Sequence, residues 1–170
     1  MRKTLIVAAF ALVAMPGSAL AADSTPTPAQ LAKQACKTEK SEMGTRLFKT
    51  TYAAKSTARA MEACAAKRGP VVAADAKNAA HECKDERDAN ATTFAEQYGT
   101  GKNNKNAFGK CVSSKTREAT DEETEDRVNA ATTCKTLRMS DKAKFETDYG
   151  TKKNAFGKCV SATAKADDVA

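Results

Sequence analysis

The sequence has no tryptophan, one histidine and only 5% aromatic residues in 170 positions. After residue 21 isoleucine is absent, and only twenty residues are Leu, Val, Met, Phe or Tyr. The hydrophobic fraction of 41% is therefore mostly alanine, which favours helix but buries little apolar area. This scarcity excludes a single large core. It also excludes a doubly wound α/β enzyme, whose buried strands need runs of valine and isoleucine.

The N-terminal residues 1–21 have the pattern of a secretory signal peptide. Two cations precede an apolar run at 5–15, and a Pro-Gly pair ends that run. Ala19 and Ala21 then place small residues where a signal peptidase requires them. The run is too short to span a bilayer well. We therefore expect a secreted or extracytoplasmic protein of the cell envelope, with no stable transmembrane segment after cleavage.

An internal repeat organises the remaining chain. The string NAFGKCVS occurs unchanged at 106–113 and at 154–161. A cysteine, a phenylalanine and a tyrosine precede each copy at the same spacings from one another, and the loop between the tyrosine and the string is shorter in the second copy. A degenerate copy lies upstream, where Cys36 precedes Phe48 and Tyr52 and where Met61 replaces the second phenylalanine. The chain is therefore built from three related modules.

The modules and the stretches between them divide the chain into eight parts. The connectors between modules hold few large apolar residues, and the first contains the breaker pair Gly69-Pro70. We expect both connectors to be exposed, and to be helical or partly flexible. The Glu123–Arg127 pair would support such a solvated helix. The expected order is signal peptide 1–21, N-terminal tether and helix start 22–35, module 1 36–64, connector 65–82, module 2 83–111, charged helical connector 112–133, module 3 134–159, and helix end and tail 160–170.

Within each module the spacing predicts a helical hairpin. In the last module Phe156 and Val160 share one helix face, and the Phe-Tyr pair of the preceding helix can pack against it. That preceding helix should begin after Asp141 and end at Gly150. The fold class is therefore all-α: three small disulfide-stapled helical-hairpin modules joined by helical or flexible connectors. The expected module core is Phe48, Tyr52, Met61, Phe94, Tyr98, Phe108, Val112, Phe145, Tyr149, Phe156 and Val160.

Six cysteines behind a signal peptide indicate three disulfides. Because each module must close with its own two cysteines, we predict the pairs Cys36–Cys64, Cys83–Cys111 and Cys134–Cys159. Metal binding is the weaker interpretation, since no two cysteines lie two to four positions apart and His81 has no partner histidine. We expect no catalytic residue, metal or cofactor.

Charge is distributed unevenly along the chain. After residue 21, 26 Lys and Arg face 21 Asp and Glu, a net charge of +5, and residues 30–68 alone carry +6. Loops rich in Lys and Asn also precede both NAFGKCVS strings. These loops are either polar turns, which is the simpler interpretation, or anion sites at helix N-termini. The candidate anion-binding residues are Lys102, Lys105, Lys110, Lys152, Lys153 and Lys158.

The NAFGKCVS string, with its upstream Phe, three residues and Tyr-Gly, resembles a group of uncharacterised exported proteins from high-GC Gram-positive bacteria. The resemblance covers modules 2 and 3, whereas module 1 departs from it at Met61, Glu62 and Ala63. It implies an exported bacterial protein and brings no catalytic residue with it.

These observations leave three hypotheses about function. The first is a non-catalytic structural or interaction protein of the bacterial cell envelope. The second is a secreted protein that binds polyanions, such as anionic envelope polymers, anionic lipid or nucleic acid, through its basic first module. The third is a small secreted hydrolase, which requires a cleft with convergent titratable groups.

Mass spectrometry of the exported protein tests the cleavage and the disulfides together. We expect the mature chain to begin at Ala22, because Ala21 ends the cleavage pattern. Full reduction should add the mass of six hydrogens, one for each cysteine. A chain that retains residues 1–21, or one that gains no mass on reduction, would contradict the prediction.

Overall fold

The computed structural model describes residues 26–100 and 103–167. The predicted signal peptide and Lys102 lie outside these residues. The described chain is entirely helical apart from turns, which confirms the all-α class. Its helices are α1 (Pro28–Thr51), α2 (Thr57–Ala89), α3 (Ala91–Tyr98), α4 (Ala107–Ser140), α5 (Lys142–Tyr149) and α6 (Ala155–Asp167).

Two long helices, α2 and α4, contain the whole of both connectors. They have 33 and 34 residues, so each spans about 50 Å at 1.5 Å per residue. The prediction of exposed or flexible connectors is wrong on one face of each helix, because Arg68 and Val72 of α2 and Thr120 and Arg127 of α4 are buried. The connectors are therefore part of the packed structure.

The breaker pair Gly69-Pro70 does not end α2. A proline inside a helix removes one backbone donor and crowds the preceding turn. Here Pro70 is exposed, whereas Arg68 and Val72 on either side of it are fully buried. Tertiary packing on both sides of the proline therefore outweighs its local preference.

Each module breaks its first helix at the same place. Asn90 begins α3 by accepting a hydrogen bond from the Thr93 amide at 3.0 Å, and Asp141 begins α5 by accepting one from the Lys144 amide at 2.9 Å. In α1 the corresponding break is a kink at Gly44, whose φ of 76° favours glycine. The helical path is therefore interrupted at the corresponding position of all three modules, by a side-chain cap in modules 2 and 3 and by a glycine kink in module 1.

The aromatic pairs of the modules have nearly equal geometry. Ring centroids are 4.9 Å apart for Phe48 and Tyr52, 5.0 Å for Phe94 and Tyr98, and 5.3 Å for Phe145 and Tyr149. The predicted module-core residues all lie in three small clusters or pack against them. The structure thus distributes its apolar residues among several small cores.

The three disulfides are those expected from the repeat. Cys36–Cys64 joins α1 to α2, Cys83–Cys111 joins α2 to α4, and Cys134–Cys159 joins α4 to α6. All six cysteines are buried. Since α2 and α4 each take part in two of these bridges, the cross-links connect the long helices in series.

The modules also fold back on one another. Helix α1 packs on α2, α4 and α6, and Met43 of α1 contacts the clusters of both the first and the third module. Gly157 of α6 faces the carbonyl of Thr51 so closely that a side chain there would collide with it. The described chain is therefore one packed bundle, and its modules are not independent units along a string.

Removing the central disulfide should destabilise this bundle. Replacing both Cys83 and Cys111 with alanine opens a loop of 28 residues, which should lower the free energy of unfolding by about 3–4 kcal/mol in the loop-entropy estimate. Urea denaturation followed by circular dichroism measures the change. The double variant of Lys84 and Asp88 to alanine, which removes an exposed ion pair, should leave the midpoint nearly unchanged. Equal midpoints for both double variants would contradict the prediction.

Candidate functional site

The basic segment at residues 30–68 covers α1 and the first turns of α2. Its net charge of +6 includes Arg68 and Glu39, both of which are fully buried. These two charges cancel, so the surface of the segment keeps the whole of its net charge. Its surface cations, exposed or half-buried, are Lys33, Lys37, Lys40, Arg46, Lys49, Lys55, Arg59 and Lys67.

Some cations outside the basic segment are neutralised locally. Lys84 pairs with Asp88 at 2.9 Å, Lys144 pairs with Asp148 at the same distance, and Lys115 lies 2.9 Å from Glu86. In the described ranges, no surface cation of residues 30–67 forms such an ion pair. The positive charge of the basic segment is thus left largely uncompensated by the protein itself.

Beneath this surface, one carboxylate is shared by α1, α2 and α4. Glu39 is fully buried, and its Oε1 lies 3.0 Å from Arg127 Nε and 3.6 Å from Arg68 Nε. Tyr52 donates its hydroxyl hydrogen to Glu39 Oε2 at 2.5 Å, and Arg127 Nη2 donates to the Tyr52 oxygen at 2.9 Å. Three side chains distant in sequence therefore meet around Glu39.

Arg68 continues the network toward α4. Its Nη2 donates to the Thr120 carbonyl at 3.0 Å and to the Thr124 hydroxyl at 2.9 Å. Its Nη1 lies 2.6 Å from a carboxylate oxygen of Glu123. Arg68 and Arg127 thus balance Glu39 and Glu123. We call these four residues and Tyr52 the buried ion network.

The protonation states follow from burial and from neighbouring charges. Burial, reinforced by Glu39, raises the pKa of Tyr52 well above its usual range, so the phenol remains a hydrogen-bond donor. Burial acts to lower the pKa of Arg127, but Tyr52 and Glu39 outweigh it and raise that pKa. Burial also raises the pKa of Glu123, although Arg68 opposes the shift.

The buried ion network holds helices together, and its central groups are closed to a substrate, whereas Glu123 at its edge is 25% exposed. Glu39 has no exposed surface, and Arg68 and Arg127 are 1% and 7% exposed. A catalytic carboxylate or guanidinium must reach a substrate atom. The arrangement therefore suits the positioning of α1, and with it the basic segment, against α2 and α4.

A separate groove of about 290 Å³ lies between α2 and α4. Its lining includes the acidic residues Asp75, Glu82, Glu118 and Glu122, and burial raises the pKa of Asp75. Lys115 crosses the groove to within 3.1 Å of Glu82. The hydrolase hypothesis requires a cleft with convergent titratable groups, and this groove has such groups. No Ser, Cys or His side chain lines it. His81 is exposed on α2.

The candidate anion-binding lysines occupy two separate turns. Lys105 is exposed before α4, whereas Lys152 and Lys153 are exposed before α6. Lys110 is half-buried and Lys158 is exposed, each in the first turn of its helix. The structure shows no feature that separates an anion site from a polar turn here, so their binding role stays a prediction.

The described residues were also considered for a metal site and for a membrane-spanning helix. Within residues 26–100 and 103–167, no three His, Cys, Asp or Glu side chains are placed to hold a metal ion. None of the helices in that part of the chain is both long enough and apolar enough to cross a membrane.

Comparison of the chain with protein-family models, with curated proteins and with solved structures finds no match.

The stability of the folded protein should depend on the negative charge of Glu39 at the centre of the buried ion network. Changing Glu39→Gln leaves Arg68 and Arg127 with one negative partner between them, and breaking a buried pair in this way costs about 3–5 kcal/mol. Chemical denaturation measures the loss. Glu42→Gln is the matched control, because Glu42 lies on the same helix and is exposed, and it should leave stability nearly unchanged. If the two variants unfold at the same midpoint, Glu39 does not hold the helices together.

Proposed function

We propose that the protein is a non-catalytic interaction protein of the bacterial cell envelope that attaches to anionic polymers through its basic segment. One observation carries the proposal: the surface cations of residues 30–67 have no acidic partner in the described chain, whereas several cations elsewhere do. Uncompensated positive charge attracts polyanions and releases their counterions on binding.

The proposed location rests on two independent features. Residues 1–21 have the pattern of a secretory signal peptide, and three disulfides fit an oxidising extracytoplasmic compartment. The resemblance to exported bacterial proteins agrees with both. Anionic polymers are abundant partners for a basic protein that reaches the envelope.

Rigidity supports a binding role for the basic segment. Cys36–Cys64 fixes α1 to α2, and the buried ion network fixes α1 to α4. Cations on a fixed helix lose less freedom on binding than cations on a flexible tail. The segment can therefore present its charges in one arrangement.

Retention on heparin-agarose tests the proposed function. The mature protein should bind the resin at low salt and elute as salt rises, because each neutralised anionic group releases a counterion. Unmodified agarose is the control resin and should retain nothing. Passage through heparin at about 50 mM salt, where phosphate-type contacts are strong, would overturn the proposal.

A further inference from the structure

Three lysines of α1 form a row along one side of the helix. At about 100° per residue, Lys33, Lys37 and Lys40 fall within about 60° of arc. Lys33 and Lys37 are exposed and Lys40 is half-buried. We call these three residues the lysine row.

The acidic side chains of α1 lie away from the lysine row. Glu39 points into the bundle and is fully buried. Glu42 is exposed but lies about 140° or more around the helix from each lysine of the row. The row thus presents positive charge without a neighbouring negative group on the same side of α1.

The surroundings of the lysine row exclude two kinds of contact. Among the described residues, large hydrophobic side chains are exposed only at Val71 and Met139, and neither is in α1. The aromatic rings of the described chain pack in the core clusters or against them. Proteins that bind single-stranded nucleic acid stack bases on exposed rings, and helices that enter a membrane surface insert apolar side chains. The row offers neither.

The spacing of the three lysines and the chemistry of their ammonium groups restrict the class of ligand. Successive lysines of the row rise about 6 Å and about 4.5 Å along the helix axis, so an extended chain lying along α1 meets all three. Lysine is a compact point charge that binds phosphate without the planar fork by which arginine holds a carboxylate or a phosphate through two hydrogen bonds. A row of lysines therefore suits a chain of successive phosphate groups, each met by one cation.

The geometry points to the lysine row as a binding site for a linear polymer of phosphate groups without exposed bases. This inference rests on the proposed function and names both the site and the ligand class within it. The polymer lies along α1 and exchanges its counterions for Lys33, Lys37 and Lys40.

The decisive experiment compares two charge-matched variants of the full chain. K33E/K37E/K40E reverses the lysine row. K77E/K135E/K165E reverses three exposed lysines on three different helices and gives the same net charge. Binding to fluorescent inorganic polyphosphate is measured by anisotropy over a range of salt concentrations. Circular dichroism checks that both variants keep their helices, and K33Q/K37Q/K40Q serves as a milder version of the first.

Reversal or neutralisation of the lysine row should weaken polyphosphate binding about ten-fold or more at low salt. It should also reduce the slope of log K against log salt by about 2, at roughly 0.7 for each lost contact. The charge-matched control variant should retain most of the polyphosphate affinity and most of the salt dependence. The native protein should prefer polyphosphate to poly-dT, to polyglutamate and to phosphatidylglycerol vesicles.

Two kinds of result would overturn the inference. Equal losses in the two charge-reversed variants would mean that only net charge matters, and tighter binding to poly-dT, polyglutamate or vesicles would mean that the ligand class is wrong. Equal losses would also remove the basic segment as the attachment surface, while leaving polyanion binding itself in place. Tighter binding to poly-dT or polyglutamate would leave the proposed function standing, since both are anionic polymers, whereas tighter binding to vesicles would replace the polymer by a lipid surface. Failure of the native protein to bind any of these probes at low salt would remove the proposed function as well.

Discussion

Helices α1, α2 and α4 meet around the carboxylate of Glu39, which has no contact with solvent. A buried charge is costly unless it is paired and hydrogen-bonded. Here Arg127 and Arg68 supply the pairing, and Tyr52 supplies a hydrogen bond. Because Glu39 lies in α1 and its partners lie in α2, in α4 and at the C-terminal end of α1, satisfying the carboxylate requires these three helices to be held together. In a chain with so few large apolar residues, the pairing of Glu39 helps to fix the mutual placement of the helices, which a larger hydrophobic core would otherwise fix.

Local features of the fold could be read from the sequence. The Phe-Tyr pairs, the cap at Asp141 and the cysteine pairing all depend on residues within one module, and the repeat displays each of them more than once. The long-range contacts could not be read in this way. Glu39 and Arg127 are 88 residues apart, and a polar run such as that around Glu123 looks solvated when it is judged only by its neighbours in sequence.

The sequence nevertheless contains one sign that the connector at 112–133 is buried on one face. Thr116, Thr120, Thr124, Arg127 and Ala131 recur at spacings of three and four, and all are buried. This is the period of a helix face that packs against a neighbour. Small threonine side chains, whose hydroxyls donate to carbonyls of their own helix at 2.6–2.7 Å, allow close packing without large apolar groups. Hydrophobicity alone does not detect such a face.

The disulfides and the helix breaks share a placement that bears on resistance to proteolysis. Every turn between helices of the described chain lies between two bonded cysteines, at 36–64, 83–111 or 134–159. The stretches outside these rings, at 65–82 and 112–133, are continuous helix. Proteases cut extended, exposed segments far more readily than helices. A single nick in any of these turns therefore leaves the two fragments covalently joined.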